Sequence, residues 1–554
     1  METVQELFER FEQLNVIGAA LSKERDLPTL LEQILVAAQK ITHADGGTIY
    51  LMDEEATALR FEIMRTTSLG IAMGGTTGKP IKFPPLPLKD KDGKPNRDMV
   101  AVYAAIRDKT VNIADAYSEA GFDFSGTRAF DARNSYRSQS FLTVPLKNHE
   151  NTVIGVLQLI NAKDPDTGAT IPFPLTDQRL AESLASQAAI ALTNRQLINQ
   201  LVELFESLIG LINLAIDEKS PYTSGHCQRV PSLTMMLAEA VVDMEDGPYA
   251  DFTMNEADRY ELRIAGLLHD CGKITTPVHV VDKATKLQTL YDRIEVVDTR
   301  IEVLKRDAQI RKLEAMLALR QAGDPAQEAQ LQQQCRAETA KLDEEREFLR
   351  KANVGGEAMR EEEQQRVRDI AASRTWVDAK GETLPMLSPN ETENLTIRAG
   401  TLLQSEREII NYHIVATNKM LAQLPWPKHL VNVPEYAGGH HERMDGKGYP
   451  KGLTKDQMSL QARMMGIADI FEALTAGDRP YKTAMKLSQA VGILSNFSRN
   501  GHIDPHLFEI FMKGKVYMTY AQAFLHADQI DAIDEAAVLE RAAGGPDRRA
   551  GNRG

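Results

Sequence analysis

The residues that most constrain how this chain folds are histidines and aspartates lying far apart in sequence. An apolar helical run, Ile264-Ala265-Gly266-Leu267-Leu268, ends in His269-Asp270, with Lys273 just beyond, and His440-His441 and Asp469 answer it far downstream. Successive residues on a helix are about 100° apart, so an adjacent His-Asp or His-His pair sends both side chains toward one cluster. One of the two then takes a terminal metal position while the other bridges two metals. His226 and His413 complete a set of five imidazoles and two carboxylates drawn from five segments. Singly, each histidine reads as a surface or core residue; together they predict one polynuclear metal site. Mixed imidazole and carboxylate ligation suits iron or manganese, with zinc, nickel or cobalt by substitution, and the lack of thiolates disfavours structural zinc.

At 554 residues, 43% hydrophobic and 26% charged, the chain predicts two folded globular domains with helical connections. No stretch of about 18 uncharged apolar residues occurs, and Met1-Glu2-Thr3 opens no signal-peptide pattern, so the expectation is a cytoplasmic protein with no membrane association. Three cysteines, Cys227, Cys271 and Cys335, without zinc-type pairing fit a reducing compartment and exclude a disulfide framework. A formal net charge of -14 repels nucleic-acid polymers and anionic lipid. An anionic substrate therefore needs local cations or metals, which favours a small ligand.

Residues 1–26 predict an amphipathic helix, with Leu7, Phe8, Phe11, Leu14 and Ile17 at helical spacing. In residues 27–179, a helix with Leu30, Leu31, Ile34 and Leu35 precedes strand-like runs at 47–52, 59–63, 140–146 and 153–159, which predicts an α/β sensor-sized domain. From 180 to 215, Ile190, Leu197, Leu204 and Leu211 recur every seven residues, with Leu201, Leu208 and Ala215 four residues after members of that series. That is a long coiled-coil helix with Asn194 on its seam, and it predicts a parallel homodimer. Residues 216–540 form the second domain, and within them 288–400 is Glu-, Gln-, Arg- and Ala-rich and broken at Ala322-Gly323-Asp324-Pro325. This insertion predicts a helical hairpin with a structural or partner-binding role, looser and partly mobile in its second half. The tail 541–554 is expected to be disordered.

The first domain resembles the GAF family over about residues 27 to 197, most specifically in YRSQSFLTVPLKNHENTVIGVLQLINA from Tyr136 to Ala162. The resemblance implies an antiparallel sheet flanked by helices and a small-molecule ligand. Arg128-Ala129-Phe130-Asp131 with Tyr136 is a loose form of the loop found in cyclic-nucleotide-binding members, with its Asn and Lys positions replaced. No cysteine precedes Cys227, which argues against an attached bilin.

The second domain resembles the HD-GYP family, all-α phosphodiesterases of cyclic di-GMP within the HD hydrolases. The carrying segments are Tyr222 to His226, Leu267 to Lys273, Asn411-Tyr412-His413, His440 through Gly446, Gly448, Tyr449 and Pro450, and Ala468 to Thr475. The resemblance implies that His226, His269, Asp270, His413, His440, His441 and Asp469 hold two divalent metals. It further implies that Lys273 reaches the scissile phosphate, that Arg479 and Lys482 contact phosphates or guanines, and that the loop of Tyr449 and Pro450 shapes the rim. Members with a third metal carry a glutamate four residues before the first histidine; Tyr222 stands there, so two metals are expected. The insertion displaces His413 unless it folds back, and the helix-like run Glu406 to Leu421 favours folding back.

In the implied reaction a metal-bridging hydroxide attacks phosphorus and the metals with Lys273 stabilise the charge that develops. Asp270 is then a bridge rather than a proton shuttle. Cyclic di-GMP to pGpG, and onward to GMP, is the leading expectation, under GAF regulation. Hydrolysis of 3′,3′-cyclic GMP-AMP and a catalytically silent dinucleotide-binding or partner-recruiting module are the alternatives.

Overall fold

The structure is a computed structural model that describes residues 4–24, 26–220, 225–320, 325–355, 358–477 and 484–544. It contains two compact units, residues 1–206 and 207–554.

In the first unit six strands lie in the order Ile71–Gly74, Ala58–Thr66, Ala44–Met52, Val153–Lys163, Phe141–Lys147 and Val111–Ile113, every neighbouring pair antiparallel. Alternation along the central strand decides what each face does. Ile49 and Leu51 point to one side, where they pack with Leu157 and Leu159 against Ile34 and Leu35 of the helix Leu27–Ile41 and Leu184 and Leu192 of a long helix. The N-terminal helix Val4–Leu21 docks on the same side through buried Leu14 and Leu21, while Phe11 stays exposed. Thr48 and Tyr50 point to the opposite face and line a cavity beneath the helices Val100–Arg107 and Ser125–Asn134. Asp131 from the replaced loop motif is buried, accepting hydrogen bonds from the Tyr117 hydroxyl and from Ser138 N–H and Oγ, each at 2.8 Å.

The long helix runs Leu175–Lys219, beyond both expected ends. By length and composition it is apolar enough to cross a membrane. Its seam residues Ile190, Leu197, Leu201, Leu204, Leu208 and Leu211 are all exposed on the single chain.

The second unit is mainly helical, with one departure from the all-α expectation, a two-stranded hairpin of Thr375–Val377 and Thr383–Pro385. The insertion contains the expected helix pair, Ile294–Arg320 and Pro325–Asn353, bonded by Lys305 to Asp343 at 2.9 Å and Arg346 to Glu302 at 2.6 Å. Among the described residues its second half is folded rather than loose. The helices Glu361–Ser373 and Pro389–Leu395 contribute Val367, Ile370 and Leu395 to a buried cluster with Val297, Ile301, Leu342 and Leu349. The sequence reading missed this because the few apolar residues involved are scattered among charges. The helix Glu535–Ala543 also runs into the expected disordered tail, with Val538 and Ala542 buried; residues 545–554 lie outside the described residues.

The insertion begins and ends at one place. Lys283, 2% exposed, donates to both carboxylate oxygens of Glu406 at 2.8 and 2.7 Å and to Asn394 Oδ1 at 2.8 Å. Lys286 donates to the carbonyls of Leu395 and Ile397 at 3.1 and 2.8 Å. Glu406 lies in the first turn of the helix Gln404–Leu421, so the clamp fixes the helix that carries His413.

Candidate metal centre

Five elements converge. His226 opens the helix His226–Val242, and the helix Glu256–Leu268, started by an Asn255 capping box, leads into His269 and Asp270. His413 sits mid-helix in Gln404–Leu421, His440-His441 follow the short helix Val433–Gly438, and Asp469 lies on Leu460–Thr475. Close approach at the centre depends on Gly272, where a Cβ would lie 2.0 Å from the His413 carbonyl oxygen. At Gly448 a Cβ would lie 2.4 Å from Arg443 N, so the loop bearing Tyr449 and Pro450 can fold tightly against Glu442.

The ligand-type atoms form two groups that share one residue. His226, His269, Asp270 and Asp469 form one, and Asp270, His413, His440 and His441 the other, with the donor atoms of each group within 4.8 Å of one another. Asp270 Oδ2 faces the first group, 3.0 Å from His226 Nε2 and 3.2 Å from His269 Nε2, while Oδ1 faces the second, 3.3 Å from His413 Nε2. Asp469 Oδ1 lies 3.3 Å from His226 Nε2 and its Oδ2 3.9 Å from His441 Nδ1, so it too looks both ways. All seven expected ligand residues therefore meet.

The hydrogen bonds behind these rings leave lone pairs facing inward. His269 Nδ1 donates to the Gly266 carbonyl at 2.7 Å, His413 Nδ1 to Ile410 at 2.5 Å and His440 Nδ1 to Ala437 at 2.6 Å. His226 Nδ1 donates to Glu472 Oε2 at 2.5 Å. Nε2 of His269 and of His226 stand 3.3 Å apart, and Nε2 of His413 is 3.0 Å from that of His441. Ring nitrogens this close need a proton or a metal ion between them, and the buried carboxylates beside them favour a cation at that place. Two further atoms make the same point: Asp270 Oδ1 and His440 Nε2 are buried without a hydrogen-bond partner. The donor set, nitrogen and oxygen with no sulfur, fits the expected divalent metals.

Electrostatics agree with that fit. Burial pushes His440 well below its ordinary pKa, with His441 and His269 adding to the effect, and burial brings His441 down to about 4, against Asp469. Both rings are neutral at neutral pH, the form in which an imidazole can take a metal. Burial acts to raise Asp270 and Asp469, but Lys273 and His269 around the first, and His226 and His441 around the second, hold both carboxyls well below the usual range. Burial and Lys273 lower His226, but Glu472, Asp270 and Asp469 outweigh them and hold it well above its ordinary value. Proton and metal thus compete for one place. Lys273 Nζ pairs with Asp270 Oδ2; burial lowers its pKa, but Asp270 and Asp469 raise it more, so the ammonium stays charged beside the centre.

Among the expected substrate contacts, Tyr449 stacks on His441 with ring centroids 4.9 Å apart, and Pro450 follows it at the rim. Tyr222, Arg479 and Lys482 lie outside the described residues. Cys227 and Cys271 are buried, and burial pushes their thiols up to about 12 and 11, which leaves both as packing residues. The sequence reading missed Glu472, 1% exposed, whose Oε1 accepts from Arg229 at 2.7 Å while Oε2 orients His226. Its signal was present: it lies one helical turn after Asp469. Glu442 was also missed; it accepts the N–H groups of Lys451 and Leu453 at 2.7 and 2.8 Å and holds the rim loop.

Comparison with known proteins accords with this architecture. Residues 26–192 match the GAF domain family, and residues 223–352 and 355–507 match two HD domain families. The first HD match holds His226, His269 and Asp270 and the second the other four ligand residues, so neither segment alone contains the centre. The chain joins a GAF domain to an HD domain. The histidine and aspartate motifs that resemble the HD-GYP family, from His226 to Asp469, fall within the two HD matches.

Curated relatives include the 3′3′-cGAMP-specific phosphodiesterase 3 of Vibrio cholerae, 37% identical over 116 residues, covering 21% of this chain and 24% of that one. A cyclic di-GMP phosphodiesterase of Pseudomonas aeruginosa is 46% identical over 97 residues, 17% of this chain and 23% of that one. A cyclic di-GMP phosphodiesterase response regulator of Xanthomonas campestris is 38% identical over 80 residues, 14% of this chain and 20% of that one. The chain thus spans about a quarter or less of the length of these relatives.

Proposed function

We propose that the second unit is a metal-dependent phosphodiesterase that opens cyclic di-GMP to linear pGpG, with GMP following where the second ester is also cut. The observation that carries the reading is the Asp270 carboxylate, shared oxygen by oxygen between two ligand groups. A pair of divalent ions, iron or manganese by donor type, supplies an activated water and Lewis acidity toward phosphate oxygens. His226, His269 and Asp469 would hold one ion, His413, His440 and His441 the other, with Asp270 common to both.

The chain's own groups do the rest. Lys273 keeps its charge beside Asp270 and neutralises a non-bridging phosphate oxygen as negative charge grows there. Tyr449, held flat against His441, gives a guanine a ring to stack on. Arg479 and Lys482 are proposed as further phosphate or base contacts. A preference for 3′,3′-cyclic GMP-AMP is the second reading, since relatives named for each substrate match this chain. A silent binding module is disfavoured, because loss of a ligand is its usual mark and all seven residues converge.

The GAF unit is proposed to regulate turnover through the helix Leu175–Lys219. Exposed Leu197, Leu201, Leu204, Leu208 and Leu211 at coiled-coil spacing support a homodimer along it. Sedimentation of Leu201→Asp with Leu208→Asp tests this, with monomer expected and an unchanged dimer contradicting it. The insertion, folded on itself and rich in surface charge, is proposed as a partner-binding element.

The test of activity is chromatography after anaerobic loading with iron(II) or manganese(II) and incubation with each dinucleotide. A metal-dependent linear product supports the enzyme and names its substrate. No product from either dinucleotide at confirmed metal content, in the full chain and in a variant lacking residues 1–174, contradicts it.

A further inference from the structure

The open face of the GAF sheet covers a cavity of about 400 Å³, within the range of small-ligand sites. Its wall is aromatic: Tyr50 and Phe61 have ring centroids 4.7 Å apart, Phe61 and Phe83 are 5.5 Å apart, and Phe130, Tyr136 and Phe141 also line it. Such walls favour a flat ring system. Several polar groups of the lining are already committed within the protein. Gln158 accepts from the Tyr50 hydroxyl at 3.1 Å and donates to Thr143 Oγ1 at 3.2 Å, and the Tyr136 hydroxyl donates to Asp45 at 2.6 Å and accepts from Asn161 at 2.9 Å. Ser138 is tied to Asp131.

The charge of the lining then decides the ligand class. Among its described residues there is no lysine, arginine or histidine, and Asp123 is the one charged side chain. The start of the helix Ser125–Asn134 would be the natural seat for a ligand anion, but Asp123 Oδ1 already accepts the Ser125 N–H there at 2.8 Å. That bond holds the Asp123 carboxyl below its ordinary range, so it is ionised at neutral pH. Arg128 and Arg137 lie 5.6 and 4.5 Å from the Tyr117 ring, outside the lining, and Arg128 acts on Asp123 from there. A phosphate in this cavity would meet a carboxylate and largely aromatic walls, with no cation among the lining residues to offset its desolvation. A ring N–H would meet a waiting acceptor.

We propose that this cavity binds an uncharged, flat heteroaromatic molecule that offers an N–H group to Asp123, and that it rejects the phosphorylated forms of the same molecule. The proposal concerns the GAF unit alone and does not depend on the hydrolase reading.

Calorimetric titration of the full chain with three pairs differing in a phosphate tests it: guanosine and cyclic GMP, adenosine and cyclic AMP, riboflavin and its 5′-phosphate. At least one unphosphorylated member is expected to bind, tenfold or more tighter than its partner. Asp123→Asn, an exposed change that can still accept the Ser125 N–H, is expected to cut that preference to threefold or less. Phe61→Leu is expected to weaken the unphosphorylated ligand about tenfold. Absence of binding by all three unphosphorylated molecules, equal or tighter binding of a phosphorylated partner, or a preference unchanged in Asp123→Asn overturns the proposal. Because the Asp123 variant alone decides the charge argument, a misfolded Phe61 variant leaves the test intact.

Discussion

Glu472→Gln isolates how the protein tunes one half of the proposed centre. In the wild type, Glu472 offers one oxygen to Arg229 and the other to His226 Nδ1, so His226 must carry its proton on Nδ1 and point a lone pair at the centre. A glutamine has one oxygen for these two donors. If the oxygen stays with Arg229, the amide NH₂ faces His226 Nδ1, and the ring must move its proton to Nε2 to accept from it, which removes the ligand lone pair. Loss of such a supporting carboxylate typically weakens metal binding by about 10- to 100-fold, or about 1.4–2.8 kcal/mol. His413, His440 and His441 make no contact with Glu472 or His226, so the affinity of their side of the centre should hold while the other falls. Competitive manganese titration of the purified variant, with its metal-free melting temperature as a control, reads this directly. Two unchanged affinities, or two equally weakened ones with a lower melting temperature, would refute the reasoning.

Other perturbations have equally definite outcomes. His269→Ala with Asp270→Ala removes a residue of each group and should abolish bound metal, measured by elemental analysis after dialysis, together with turnover. Lys283→Met breaks the clamp on Glu406; because the Glu406 side chain is 18% exposed and can hydrate, the cost is about 1–3 kcal/mol, and faster proteolysis within 288–400 and weaker binding of the ion held by His413 are expected. Burial lowers the buried ammonium of Lys286 to about 8, so the folded state releases a proton that the unfolded chain keeps until its ordinary value of 10.5. The cost of that charge is therefore fully felt below pH 8 and is relieved as pH rises from about 8 to 10.5. Relative to Lys286→Met, wild-type stability in urea should gain about 2 kcal/mol between pH 7.5 and 9.5; a constant difference would contradict this.

The legible parts of this protein were those with short-range signatures. Strand alternation around Ile49 and Tyr50, the seven-residue spacing from Ile190 to Leu211 and the paired His269-Asp270 and His440-His441 all follow from local periodicity or adjacency. Groups acting through space were not legible in this way. Glu472 carried a signal in its place one helical turn after Asp469, but its partner His226 could be read only from the fold, and the carbonyls of Gly266, Ile410 and Ala437 have no side-chain signature at all. The insertion misled for a related reason. Its order rests on Val367, Ile370 and Leu395 meeting residues far away in sequence, and on Lys283 and Lys286, which look like surface lysines and are buried. The cavity of the GAF unit was hidden too, since its charge balance depends on which of several loop residues, here Asp123, reaches the lining.

The central claim is that two metal ions sharing Asp270 act together on a phosphodiester. Initial rates of cyclic dinucleotide cleavage, measured against manganese bound per chain, test it most directly. The account predicts little turnover up to one equivalent, a rise to full rate at two, and no further gain beyond. Full turnover with one ion bound, or with none, would contradict it.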